Sequence, residues 1–78
     1  MVDEDGYEYG LEVTRSRDGE ERVEYHRHYS QAAARVALRE ERDRIRRGVN
    51  RFRGGTVVSV QLARRPVGEW EGIGDGLD

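Results

Sequence analysis

The sequence predicts an α+β domain of the form ββαβ, extending to ββαββ, with one helix packed across one face of a small, mainly antiparallel sheet. Three observations carry this. Two stretches that alternate apolar and polar residues flank an Asp18-Gly19 turn signal. The long stretch from Ser30 to Arg53 carries a helical period instead. A third alternating stretch, rich in β-branched residues, follows the Gly54-Gly55 pair.

Residues 1–6 are acidic and expected to be disordered, residues 7–73 form the single domain, and residues 74–78 form a flexible end. From Tyr7 to Arg15, Tyr7, Tyr9, Leu11 and Val13 fall on one face, and Glu8, Gly10, Glu12 and Thr14 on the other. Val23, Tyr25, Arg27 and Tyr29 repeat the pattern in a second strand. A two-residue Asp18-Gly19 loop would set Val13 against Glu24. A three-residue loop, Arg17-Asp18-Gly19, instead pairs Val13 with Val23 and Leu11 with Tyr25, which keeps apolar residues together and is the expected register. It places Glu8 opposite His28 and Glu12 opposite Glu24 on the outer face, and Arg27 on the inner one.

Ser30 is suited to cap the helix, with Tyr29 in the staple position; Ala33 stands where a capping box would have Glu. Ala34, Ala37, Leu38, Ile45, Val49 and Phe52 make the apolar stripe. Gly48 either ends the helix or is passed on the way to Arg53; Val49 and Phe52 stay in phase, which favours a partly helical continuation. Glu41 sits inside the stripe, and Arg27 is its expected partner, because a buried carboxylate needs one. Thr56 to Arg65 reads as a third strand with Val58, Val60 and Leu62 on one face. Pro66 to Gly68 reads as a turn, and Glu69 to Ile73 as a short fourth strand around Trp70, a small-core anchor or an interface aromatic.

At 78 residues, with 35% hydrophobic and 38% charged, the core is small, and a homodimer is expected to supplement it. The absence of cysteine removes disulfides, thiolate metal sites and cysteine nucleophiles. No apolar run approaches a membrane span and the acidic N-terminus lacks the basic region of a signal peptide, so a cytoplasmic protein is expected. All fourteen basic residues are arginine, a bias that a GC-rich genome explains. The net charge of −2 hides segregation: residues 1–25 sum to −6, residues 26–65 to +8 and residues 66–78 to −4.

The basic middle supplies the candidate site. Arg35, Arg39, Arg42 and Arg46 share one helix flank, spaced i, i+4, i+7, i+11, over about 16 Å at 1.5 Å per residue, with no acid among them. The other flank neutralises itself through Glu40–Arg44 and Asp43–Arg47. A guanidinium ladder suits phosphates or an acidic partner surface, and Arg53, with Arg51, extends it. His26 and His28, two residues apart on a strand, are the one pair of metal-ligand type, but they lack a zinc-site motif, so no metal and no cofactor is expected. No serine accompanies a general base in a recognisable motif and Gly54-Gly55 lacks the phosphate-loop pattern, so an enzyme is not expected.

The lysine-free composition, the helix SQAAARVALREERDRIRRG and the segment ARRPVGEWE resemble the small uncharacterised proteins of actinobacteria and their phages. That resemblance implies binding to a host or phage macromolecule, with a regulatory role. The strand entering a capped helix at Tyr29-Ser30-Gln31 is also similar to the arm-binding domain of tyrosine integrases. Those domains have three strands before the helix and read DNA with the sheet, whereas here there are two, and Glu8, Glu12 and Glu24 make the exposed face acidic. The expectation is a non-enzymatic protein that binds a protein partner; the alternative is a nucleic-acid-binding module using the arginine flank on phosphates.

Overall fold

A two-residue turn sets the frame of the molecule. The computed structural model describes residues 6–66 and 70–74. Strand β1 (Glu8–Arg17) and strand β2 (Glu20–His28) are joined at Asp18 and Gly19, with φ of 52° and 82°. Both values are left-handed, as a tight hairpin turn with the twist of its strands requires, and Asp-Gly adopts them at low cost. Val13 therefore lies opposite Glu24, Leu11 opposite His26, Glu12 opposite Tyr25 and Tyr9 opposite His28. The expected three-residue loop is not formed.

A slip of one residue moves every side chain of a strand to the other face. Glu24, His26 and His28 thus share the face of Leu11 and Val13, while Val23, Tyr25 and Arg27 join Glu12 and Thr14 on the opposite one. The local turn preference prevails because Tyr25 finds another apolar partner: Trp70 stacks on it, with ring centroids 6.2 Å apart and planes within 6°. The Arg65 guanidinium covers the Trp70 ring at 4.7 Å. Beneath them Glu12 accepts from the Tyr25 hydroxyl at 3.0 Å and from Gln61 Nε2 at 2.8 Å.

Helix α1 (Gln31–Arg47) begins as expected, with Ser30 Oγ accepting from the Ala33 N–H at 3.1 Å. It ends at Gly48, left-handed at φ 75°, whose N–H donates to the Ile45 carbonyl while the Val49 N–H donates to that of Arg44. The continuation to Arg53 is not formed, because the left-handed glycine satisfies the last carbonyls and turns the chain away. Arg51 and Phe52 instead form strand β3 (Arg51–Phe52), which turns at Arg53 and Gly54 into strand β4 (Gly55–Arg65). Asn50 braces the crossing, donating from Nδ2 to the Val57 carbonyl at 2.6 Å and accepting from the Val57 N–H at 2.9 Å.

The sheet order is β2-β1-β4-β3, and strand β5 (Glu71–Gly74) pairs with β4 on the same side as β3; all pairings are antiparallel. A register shift between Thr14 and Arg15 turns Val57 inward and leaves Val58 exposed, so the inner face of β4 is Val57, Val60 and Leu62 rather than the expected Val58, Val60 and Leu62. These three pack with Tyr9, Leu11 and Val13 of β1 under Ala34 and Leu38 of α1. Val49 and Phe52, expected in the stripe, are 50% and 46% exposed. Among the described residues no helix is long and apolar enough to cross a membrane. Most of the acidic N-terminal segment, part of the Pro66–Gly68 turn and most of the C-terminal end lie outside the described residues.

Two substitutions test this frame by urea denaturation. Ser30→Ala should cost about 1 kcal/mol through loss of the cap. Gly10→Ala should cost about 1–3 kcal/mol or more, because an added Cβ would sit 2.3 Å from the His26 carbonyl oxygen.

Candidate functional site

The register that places Glu24, His26 and His28 on the inner face also leaves them incompletely roofed. Helix α1 packs chiefly on β4 and β1 and reaches β2 less. A trough of about 410 Å³ remains between the helix flank and β2. Its apolar surface comes from Leu11, Val13, Val57, Ala37 and Phe52, and its polar surface from Arg15, His26, His28, Glu41 and Arg44. A second hollow of about 490 Å³ opens at the hairpin end, where Arg15, Arg17 and Arg22 face Asp18, Glu20 and Glu24.

Arg15 borders both, and a hydrogen-bonded chain joins them. Arg15 Nε and His26 Nε2 each lie 3.0 Å from the same oxygen of Glu24. The Arg15 hydrogen bond, followed by that from His26, holds the Glu24 carboxyl below the usual carboxylate range. The Arg15 guanidinium also lies 5.7 Å from the centre of the Phe52 ring. On the helix wall Glu41 is closely paired with Arg44, one turn away. The expected Glu41–Arg27 contact is absent because the register puts Arg27 on the other face, where Arg27 Nη1 lies 3.3 Å from Glu8. The pairings expected for Glu8 with His28 and Glu12 with Glu24 fail for the same reason.

The trough offers apolar area between fixed charges of both signs. A polyanion entering it meets the Glu41 carboxylate, with Glu24 already held by Arg15 and His26 at the trough's border. A peptide with apolar and charged side chains meets complementary groups. Among the described residues no group of three or more His, Cys, Asp or Glu side chains is arranged to hold a metal ion. His26 and His28 lie together in the trough, with His26 engaged by Glu24.

The arginine flank is less uniform than its spacing predicts. Arg39 is exposed and has no ion-pair partner among the described residues. Arg35 is half-buried, and Arg42 Nη2 donates to the Val60 carbonyl at 3.3 Å, tying it to the sheet. Arg46 pairs with Asp43 at 2.9 Å, and Arg47 joins at 3.0 Å. The Arg46 hydrogen bond, then that of Arg47, holds the Asp43 carboxyl below its ordinary range. An acid expected to serve only the opposite flank thus neutralises the end of the ladder. Arg53 is exposed at the β3–β4 turn, and Arg51 is exposed on β3.

The trough is the feature that sequence reading missed. Its signal was present: a strict two-residue Asp18-Gly19 turn puts Glu24, His26 and His28 on the core-facing side. Comparison with protein-family models, with curated proteins and with solved structures returned no match.

The Glu24 contact yields a pH prediction. A carboxylate whose folded-state pKa is depressed stabilises the fold above its unfolded value, near 4.3, and loses that contribution as pH falls through the folded value. The Glu24 side chain is 40% exposed, so solvent screening keeps the contribution below about 1 kcal/mol. Arg15→Ala should therefore raise the Glu24 pKa in a carboxyl NMR titration. In urea denaturation, the pH-dependent part of the stability gap to wild type should close below about pH 4.

Proposed function

We propose that this chain is a non-enzymatic interaction protein that binds a protein partner through the trough beside the helix. The observation that carries the reading is the combination of an apolar surface with fixed charges of both signs along one depression. A peptide segment satisfies such a surface by laying apolar side chains against Leu11, Phe52 and Ala37 and placing charges against Arg15, Glu41 and Arg44. The reading also accounts for the exposure of Phe52, an aromatic set at the mouth of the trough rather than in the core. The tie of Arg42 to the Val60 carbonyl and the surface pairing of Arg46 with Asp43 count against phosphate binding along the helix flank, which leaves Arg39 with the fewest competing contacts there.

Immobilised wild type, Arg39→Glu and Phe52→Ala/Arg44→Ala, each incubated with an actinobacterial lysate with and without nuclease, test the proposal. The expected result is a discrete protein retained by wild type and by Arg39→Glu after nuclease, and bound at least tenfold more weakly by the trough variant. Recovery of nucleic acid that Arg39→Glu abolishes would replace this reading with phosphate binding on the helix flank. A steep fall of that binding with salt would mark counterion release.

A further inference from the structure

The two edges of the sheet are built differently. On one side β4 is flanked by the two-residue β3 and the four-residue β5. On the other, β2 runs for nine residues in unbroken register with β1, with neither proline nor glycine, and no described strand lies on its far side. Soluble domains usually blunt an edge of that length with short strands, bulges, proline or charged side chains. Strand β2 carries only the last, at Glu20, Glu21, Arg22, Glu24 and Arg27, of both signs and so open to pairing with a complementary strand.

The turn fixes which backbone groups this edge presents. In a two-residue hairpin the pair next to the turn, Arg17 and Glu20, is hydrogen-bonded, and hydrogen-bonded and non-hydrogen-bonded pairs then alternate. The backbones of Glu20, Arg22, Glu24, His26 and His28 accordingly face β1, and those of Glu21, Val23, Tyr25 and Arg27 face away.

We infer that a second copy of this chain docks antiparallel along β2, with the two-fold axis passing at Glu24, to make one continuous sheet. This register uses the full nine-residue overlap. It sets Glu21 of each copy opposite Arg27 of the other, Val23 opposite Tyr25, and Glu20 opposite His28. Shifting the strand by two residues in either direction sets Val23 or Tyr25 against itself and removes the Glu21–Arg27 pairs, so charge complementarity selects the register. Val23 and Tyr25 are 53% and 42% exposed and lie on the face that Trp70 borders. Pairing joins the four residues of the two copies into one covered apolar strip. The like-charge contact at the centre, Glu24 against Glu24, is offset because each carboxylate already accepts from Arg15 and His26 of its own chain. The axis is perpendicular to the sheet, so both helices fall on one side and the two troughs adjoin across it.

This inference is independent of what the trough binds, and sedimentation velocity on the full chain over a concentration series tests it. Wild type should form a dimer. Glu21→Arg and Arg27→Glu should each weaken association at least tenfold, with circular dichroism unchanged. The double variant Glu21→Arg/Arg27→Glu should recover it, since the pair is rebuilt with its signs exchanged. Glu8 retains Arg65 at 3.6 Å when Arg27 is replaced. Val23→Pro, which removes an N–H that faces away from β1, should leave a folded monomer. A wild type that stays monomeric throughout, a dimer indifferent to the single reversals, or a double variant that stays monomeric would overturn the inference. A monomer that still captures a partner through the trough would leave the proposed function standing.

Discussion

The pairing of two left-handed residues, Asp18 and Gly19, governs the rest of the structure. A hairpin closed by a turn of this type has no freedom of register, so the faces of β2 are assigned at the turn and not by the preference of Val23 and Tyr25 for a core. The consequence runs through the whole fold. Nine residues of β2 place no apolar side chain beneath the helix, and among the described residues the fully buried core comes from β1, β4 and α1, with Tyr7 and, from β5, Ile73 packed against it.

A polar row bordering a core is tolerated when its members satisfy one another. Glu24 accepts from both Arg15 and His26, and Glu41 is paired with Arg44 along the helix wall. Among the described residues no buried side-chain nitrogen or oxygen lacks a hydrogen-bond partner. On the opposite face, Trp70, itself covered by Arg65, stacks on the displaced Tyr25, and Glu12 and Gln61 tie the strands beneath. The second face of the sheet is thereby ordered without a second helix.

Arginine performs several structural tasks that a ladder of binding groups would not suggest. Arg64 lies 4.2 Å from the centre of the Tyr7 ring and pairs with Glu71 of β5 at 2.8 Å. Donating this hydrogen bond to Glu71 raises the Arg64 pKa above the ordinary arginine value. Arg42 reaches a carbonyl of β4, and Arg15 links a carboxylate to an aromatic ring. A planar guanidinium on a long apolar stem extends a small core by covering its margin while keeping its charge hydrated.

The α+β class, the cap at Ser30, the apolar stripe through Ala34 and Leu38 and the alternation of β1 follow from periodicity, because helix and strand periods are local properties of the chain. The end of α1 at Gly48 was one of two local options, and in-phase Val49 and Phe52 pointed to the other. The β3 strand, the inward turn of Val57 and the sheet order depend on how distant segments pair, which no window of sequence records. The trough belongs to the same class. His26 and His28 were visible as a pair, but their place beside Glu24, Arg15 and Glu41 arises from a register and a helix position that bring β1, β2 and α1 together. Charges along a helix can be counted from spacing; which of them are neutralised, tied to carbonyls or left to solvent is settled by packing, since each pairing needs a partner brought within about 4 Å.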